Sequence, residues 1–97
     1  MKLPIPLLFD WNRSNFDKNW LKHKVNFKEA EEIFFDRFLK IFEDEKHSQK
    51  ESRLVAYGIT NKGRKLTAIF TLRGEKIRTI SARNQNKKER RVYEKQN

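Results

Sequence analysis

The sequence predicts an α+β domain: two N-terminal helices, a four-stranded antiparallel sheet and a C-terminal helix, in one domain over residues 1–97. Three observations carry this. Three segments place a capping Ser or Asn three residues before an acid, the mark of a helix start. Short β-rich runs from residue 38 to residue 83 are separated by turn signals. Short connections between consecutive strands imply an antiparallel meander, whose apolar face the helices must cover in two layers.

Ser14-Asn15-Phe16-Asp17 opens the first helix, which should end near His23. Phe16 and Trp20 lie four apart, Leu21 extends their stripe, and this face is expected in the core. Asn26-Phe27-Lys28-Glu29 opens the second helix. Phe27, Ala30, Ile33 and Phe34 follow helical spacing, and Asp36 marks the exit. Phe38 to Phe42 reads as a strand, and the polar segment 43–52 as a loop. Leu54 to Ile59 is β-rich, and Asn61-Lys62-Gly63 supplies a turn. From Leu66 to Leu72, Leu66, Ala68, Phe70 and Leu72 share one face, and Thr67, Ile69 and Thr71 the other. Arg73-Gly74-Glu75 turns the chain into a last strand, Lys76 to Arg83. Asn86-Lys87-Lys88-Glu89 then caps a C-terminal helix with few apolar residues.

Hydrophobic residues are 36% and aromatics 12%, enough for a compact fold despite 37% charged residues. With no cysteine, disulfides and thiolate metal sites are excluded. His23 and His47 show no metal-ligand spacing, so no cofactor is expected. LPIPLLF is too short, and too broken by proline, for a membrane span or a signal segment, so a cytoplasmic location is expected.

The charge is one-sided. The net value is +10, but residues 1–45 carry eight Lys/Arg against nine Asp/Glu, and residues 46–97 fifteen against four. The stretch RTISARNQNKKERR, 78 to 91, holds six cations and one acid. Such a segment points to a polyanion, either nucleic acid or an acidic protein.

Several segments together resemble the BrnT family of toxins. WNRSNFDKNWLKHKVNFKEAEEIF carries its spaced Asn at Asn19, its Lys22-His23 pair and its Val25-to-Ala30 step. Glu51-Ser52-Arg53, Gly58 and RTISARNQNKKERRVY match the remainder. Ile80-Ser81-Ala82-Arg83 followed by Glu89 and Tyr93 is the most specific part. Lys24 stands where the family usually has Gly. The resemblance implies a RelE-like fold and the toxin half of a type II toxin–antitoxin pair, a ribonuclease that inhibits translation. It also implies a small BrnA-like antitoxin with a ribbon-helix-helix motif, which alone would contact operator DNA.

Metal-independent RNA cleavage uses the substrate's 2′-hydroxyl as nucleophile. The enzyme must take that proton, stabilise the phosphorane and protonate the leaving oxygen. Arg suits the second task and His the first. His23, Arg53 and Arg83 are therefore expected to converge as catalytic groups, with Lys22 close by. Arg78 lies five residues before Arg83, on the opposite face of a regular strand unless that strand bulges. Arg78, Lys87, Lys88, Arg90 and Arg91 are expected to hold RNA phosphates without sequence choice. Plainer roles stand beside these. His23 can serve as a helix C-terminal cation, Glu51 as a partner of Arg53, Glu89 as a capping acid and Tyr93 as a packing ring. Trp11 reads as packing, and Ser81 as a small strand residue. A non-enzymatic basic nucleic-acid-binding module, or a degenerate toxin that only binds its antitoxin, is the alternative to the nuclease.

Overall fold

The computed structural model describes residues 3–44 and 51–95. Part of the predicted polar loop, 45–50, lies outside the described residues. The elements are β1 (Leu8–Phe9), α1 (Lys18–His23), α2 (Phe27–Glu32), a 3₁₀ turn (Ile33–Phe35), β2 (Lys40–Glu43), β3 (Leu54–Ile59), β4 (Lys65–Arg73), β5 (Lys76–Asn84) and α3 (Lys87–Glu94). Among the described residues no helix is long and apolar enough to cross a membrane.

The expected four-stranded antiparallel sheet preceded by two helices is corrected here. The chain is α+β, but the sheet has five strands and is mixed, in the order β1-β5-β4-β3-β2. β2 to β5 form the antiparallel meander. β1 precedes both N-terminal helices and pairs in parallel with β5, Leu8 opposite Lys76 and Phe9 opposite Ile77. A two-residue strand has no periodicity to read, and the prolines before it mask it further.

The core lies on one face of this sheet. Ala30, Ile33 and Phe34 pack against Leu54, Ala56, Leu66, Ala68, Phe70, Ile77 and Ala82. The Phe34 ring meets Phe70 edge-on at 5.0 Å. Gly58 is required here: a Cβ would stand 2.7 Å from the Ile33 Cβ and 2.9 Å from its carbonyl oxygen. The helices do not all cover that face. α3 is tied to the opposite face by Thr67, Arg83 and Lys40, whose Nζ donates to the carbonyls of Val92 and Lys95, 2.7 Å each. Asp36 secures the far end: it accepts from the amides of Phe38 and Ile59, both at 3.0 Å, and from the Tyr93 hydroxyl.

α1 does not bury its aromatic stripe. Phe16 and Trp20 are 40% and 48% exposed, while Asn15 and Asn19, one position earlier, are buried. The reason lies at β5. β1 covers only its first two residues, so the rest of that edge needs other partners. Asn15 Nδ2 donates to the carbonyls of Asp10 and Thr79, both at 3.0 Å, and Asn19 Oδ1 accepts from the Ala82 amide at 3.0 Å. The backbone's demand for partners overrides the apolar stripe.

Two measurements check this packing. Asn19→Ala leaves the Ala82 N–H unsatisfied, and urea unfolding should show a loss of about 1–3 kcal/mol. Gly58→Ala overpacks the Ile33 contact, and its unfolding midpoint should fall by the equivalent of roughly 1–3 kcal/mol.

Candidate active site

β5 carries a bulge. Ile69 faces Ser81 and Phe70 faces Thr79, so Ile80 has no opposite residue. This extra residue reverses the alternation. Arg78, opposite Thr71, and Arg83, opposite Thr67, therefore lie on the same face of the sheet, away from the core.

That face holds a cavity of about 390 Å³ lined by Lys18, Arg53, Arg83, Asp44 and Ser81 over Ile69 and Ile80. β5 supplies Arg83 and Ser81, and α1 supplies Lys18, whose Nζ is 3.5 Å from the Ile80 carbonyl. Arg53 precedes β3, where its carbonyl accepts from the Asp44 amide at 2.8 Å. Three cations thus surround one cavity with one carboxylate.

Arg83 is held by Glu89. Its Nη1 and Nη2 donate to Oε1 and Oε2 at 2.7 and 2.9 Å, and Nη1 also reaches the Asn84 carbonyl at 3.2 Å. Glu89 Oε1 accepts in addition from Thr67 Oγ1 at 2.9 Å and from the Asn86 amide at 2.8 Å. Glu89 is thus the capping acid of α3 and the clamp on Arg83 at once. Burial opposes its charge, but hydrogen bonds from Arg83, the Asn86 amide and Thr67 outweigh that and hold the carboxyl below its usual range. The clamp leaves Arg83 with unused donors on a fixed plane, aimed from a rigid strand.

His23 sits at the end of α1, half-buried and outside the cavity lining. Partial burial, then the charges of Lys22 and Arg83, lower its pKa from the ordinary 6.5. It is therefore within electrostatic reach of Arg83, and the neutral imidazole is favoured. Arg64 fixes its backbone: Nη2 donates to the His23 carbonyl at 3.1 Å and Nη1 to the Lys24 carbonyl at 2.7 Å. The same guanidinium pairs with Glu29 at 3.1 Å and bonds Asn84 Oδ1 at 2.7 Å. Lys24 adopts the left-handed conformation, φ 55°, that glycine would take without strain.

The structure thus brings Arg53 and Arg83 into one cavity, with His23 near Arg83 and Lys22 exposed beside it. Arg78 stands apart. It is 9% exposed and engages the N-terminal segment, 3.5 Å from Asp10, 3.2 Å from Asn12 Oδ1 and 2.6 Å from Ser14 Oγ. Lys87, Lys88, Arg90 and Arg91 are exposed on α3, with Arg90 donating to the Gln85 carbonyl at 2.8 Å. Glu51 stands 3.9 Å from Arg73. Trp11 packs against Phe16 and Phe27 and donates to Glu31 at 2.7 Å. Among the described residues no group of three or more His, Asp or Glu is placed to hold a metal ion.

A family model described as the ribonuclease toxin BrnT of type II toxin–antitoxin systems matches residues 11–89. The chain belongs to the BrnT family. Among individually curated proteins none matches it significantly. The BrnT match spans every cavity residue, together with Lys22, His23 and Glu89. A type II ribonuclease toxin implies two partners, an RNA substrate and an antitoxin.

Three groups in or around this cavity were not singled out from the sequence. Lys18 lay in a helix whose orientation depends on the asparagines. Arg64 lay between the predicted turn, Asn61-Lys62-Gly63, and the strand from Leu66. Glu89 gave a signal, the Asn86 capping box, but one that accounted for it without Arg83.

The electrostatics can be read directly. Folding favours neutral His23, so its contribution to stability is present above pH 6.5 and is lost as pH falls through the lowered folded pKa. An NMR titration of the imidazole should give a midpoint below 6.5, and Arg83→Ala should move it upward.

Proposed function

We propose that this chain is a metal-independent endoribonuclease that cleaves RNA through attack of the 2′-hydroxyl on the adjacent phosphate and thereby inhibits translation. The observation that carries this reading is the shared cavity of Lys18, Arg53 and Arg83 on the sheet face away from the core.

The scissile phosphate binds among the three cations. As the phosphorane forms, its added negative charge meets donors already held in place, so little reorganisation is needed. Arg83 contributes the donors that Glu89 leaves unused, and Arg53 and Lys18 supply charge from the other elements. The charge a divalent ion supplies in other nucleases comes here from guanidinium and ammonium groups. His23, neutral at physiological pH, takes the 2′ proton directly or through one water. The P–O5′ bond breaks and the leaving oxygen takes a proton from the imidazolium that His23 has become or from water, leaving a 2′,3′-cyclic phosphate and a 5′-hydroxyl end. The exposed cations of α3 track the flanking phosphates and raise affinity without sequence choice. The neutralising partner is a BrnA-like antitoxin with a ribbon-helix-helix motif, through which alone the pair contacts operator DNA.

Purified chain should cut RNA in EDTA and leave cyclic phosphate ends. Arg83→Ala should lower the rate roughly 10²–10³-fold while urea unfolding stays cooperative. Cleavage that requires Mg²⁺, or that survives Arg83→Ala undiminished, would overturn the mechanism.

A further inference from the structure

On the face that carries the cavity, β2 and β3 present two rings. Phe42 and Tyr57 are diagonal neighbours across the strand pair, with centroids 5.3 Å apart and planes tilted by 56°. Phe42 is 42% exposed, and β2 ends the sheet.

Their position relative to the cations is set by register. Tyr57 faces Thr67, and Thr67 faces Arg83, so the backbones of Tyr57 and Arg83 stand two strand spacings apart, roughly 10 Å, with both side chains on this face. Phe42 faces Val55, Val55 faces Ile69, and Ile69 faces Ser81. Ile69 and Ser81 line the cavity, so an apolar floor leads from the rings to the phosphate site. Adjacent nucleotides of an extended strand bridge such a separation. α3 adds a second element on this face, since Glu89 is bonded to Thr67 in the row between ring and clamp.

We infer that Phe42 and Tyr57 form a stacking subsite for an unpaired nucleobase flanking the phosphate bound at Arg83. The inference rests on the ribonuclease reading and adds a base-binding subsite to it. Bases in an A-form duplex are already stacked and cannot lie on a protein ring; an unpaired base can. Stacking of this kind tolerates any base and changes affinity by roughly 5- to 150-fold per ring. The cavity supplies the charge that holds the backbone, and the rings supply the preference for an unpaired strand.

The test separates binding from cleavage. A short 2′-O-methyl oligoribonucleotide lacks the attacking hydroxyl, and a 2-aminopurine in it reports stacking. The protein should quench that fluorescence and bind the single strand more tightly than the matching duplex. Phe42→Ala and Tyr57→Ala should each weaken single-strand binding about 5- to 150-fold and abolish the quenching. Tyr57→Phe should retain both. Phe42→Leu, which keeps apolar bulk at the edge strand, should still lose quenching, so the result does not depend on whether the alanine variant folds. On cleavable RNA, the ring variants should raise KM more than they lower kcat. Unchanged affinity and quenching in folded Phe42→Leu and Tyr57→Ala would overturn the subsite while wild-type cleavage continued. Loss of stacking in these variants from a protein that never cuts RNA would instead uphold the subsite and remove the nuclease.

Discussion

The fold turns on how the open edge of β5 is satisfied. β1 pairs with only two of its residues, and beyond Ile77 the strand still needs partners for its backbone. Asn15, in the turn before α1, and Asn19, within α1, provide them, at the Thr79 carbonyl and the Ala82 amide that bracket the bulge at Ile80. An unsatisfied buried amide costs about 1–3 kcal/mol, so this edge orients α1 more firmly than its apolar residues do. Everything at the site inherits that orientation. Lys18 falls beside Ile80, His23 ends within electrostatic reach of Arg83, and the bulge sets Ser81 and Arg83 on the same face as Arg78.

The second constraint is charge. A chain of net charge +10 concentrates cations that repel one another, and the site answers with one acid placed between helix and sheet. Glu89 Oε1 takes three hydrogen bonds, from Thr67, Arg83 and Asn86, so α3 and Arg83 are fixed by the same oxygen. A partly buried carboxylate with that many donors is stable as the anion, despite the cost of burial. The pairing lowers the net charge offered to substrate, yet it fixes the guanidinium plane. Preorganisation of this sort matters more for a transition state than for a ground state, because donors already aimed need not reorient.

Much of this was legible in the sequence. The capping boxes at Asn26 and Asn86 form as their spacing predicts, and the alternation in β4 places Leu66, Ala68 and Phe70 in the core. The failures share one cause. Where apolar spacing and backbone hydrogen bonding disagreed, the apolar pattern was followed. The predicted first helix from Ser14 begins only at Lys18; across its start the pairs Phe16/Trp20 and Asn15/Asn19 have the same four-residue spacing, and the unpaired edge of β5 chooses between them. β1 was hidden for a related reason, since two residues beside prolines carry no pattern. The relation of Arg78 to Arg83 depended on a bulge that no residue in Ile80-Ser81-Ala82 announces. Arg53 and Arg83 were named from their chemistry and line one cavity; Lys18 and Arg64 were not named, because their places come from the fold.

Lys24 shows how such conflicts are resolved energetically. A non-glycine residue in the left-handed region costs about 1–2 kcal/mol, and the turn after His23 needs that conformation. Two interactions oppose the cost. The Lys24 ammonium lies 5.2 Å from the centre of the Trp20 ring, an exposed contact contributing about 0.5–1 kcal/mol. Arg64 donates to the carbonyls of both His23 and Lys24, and hydrogen bonds from a charged donor contribute about 1.5–3 kcal/mol. The clamp is therefore large enough to hold the turn against its strain. It also grips His23 by its own carbonyl. With Arg64 present, Lys24 keeps the left-handed conformation of the turn after His23. The backbone at His23 and Lys24 is held by Arg64, just before β4, together with Glu29, not by the conformational preference of residue 24.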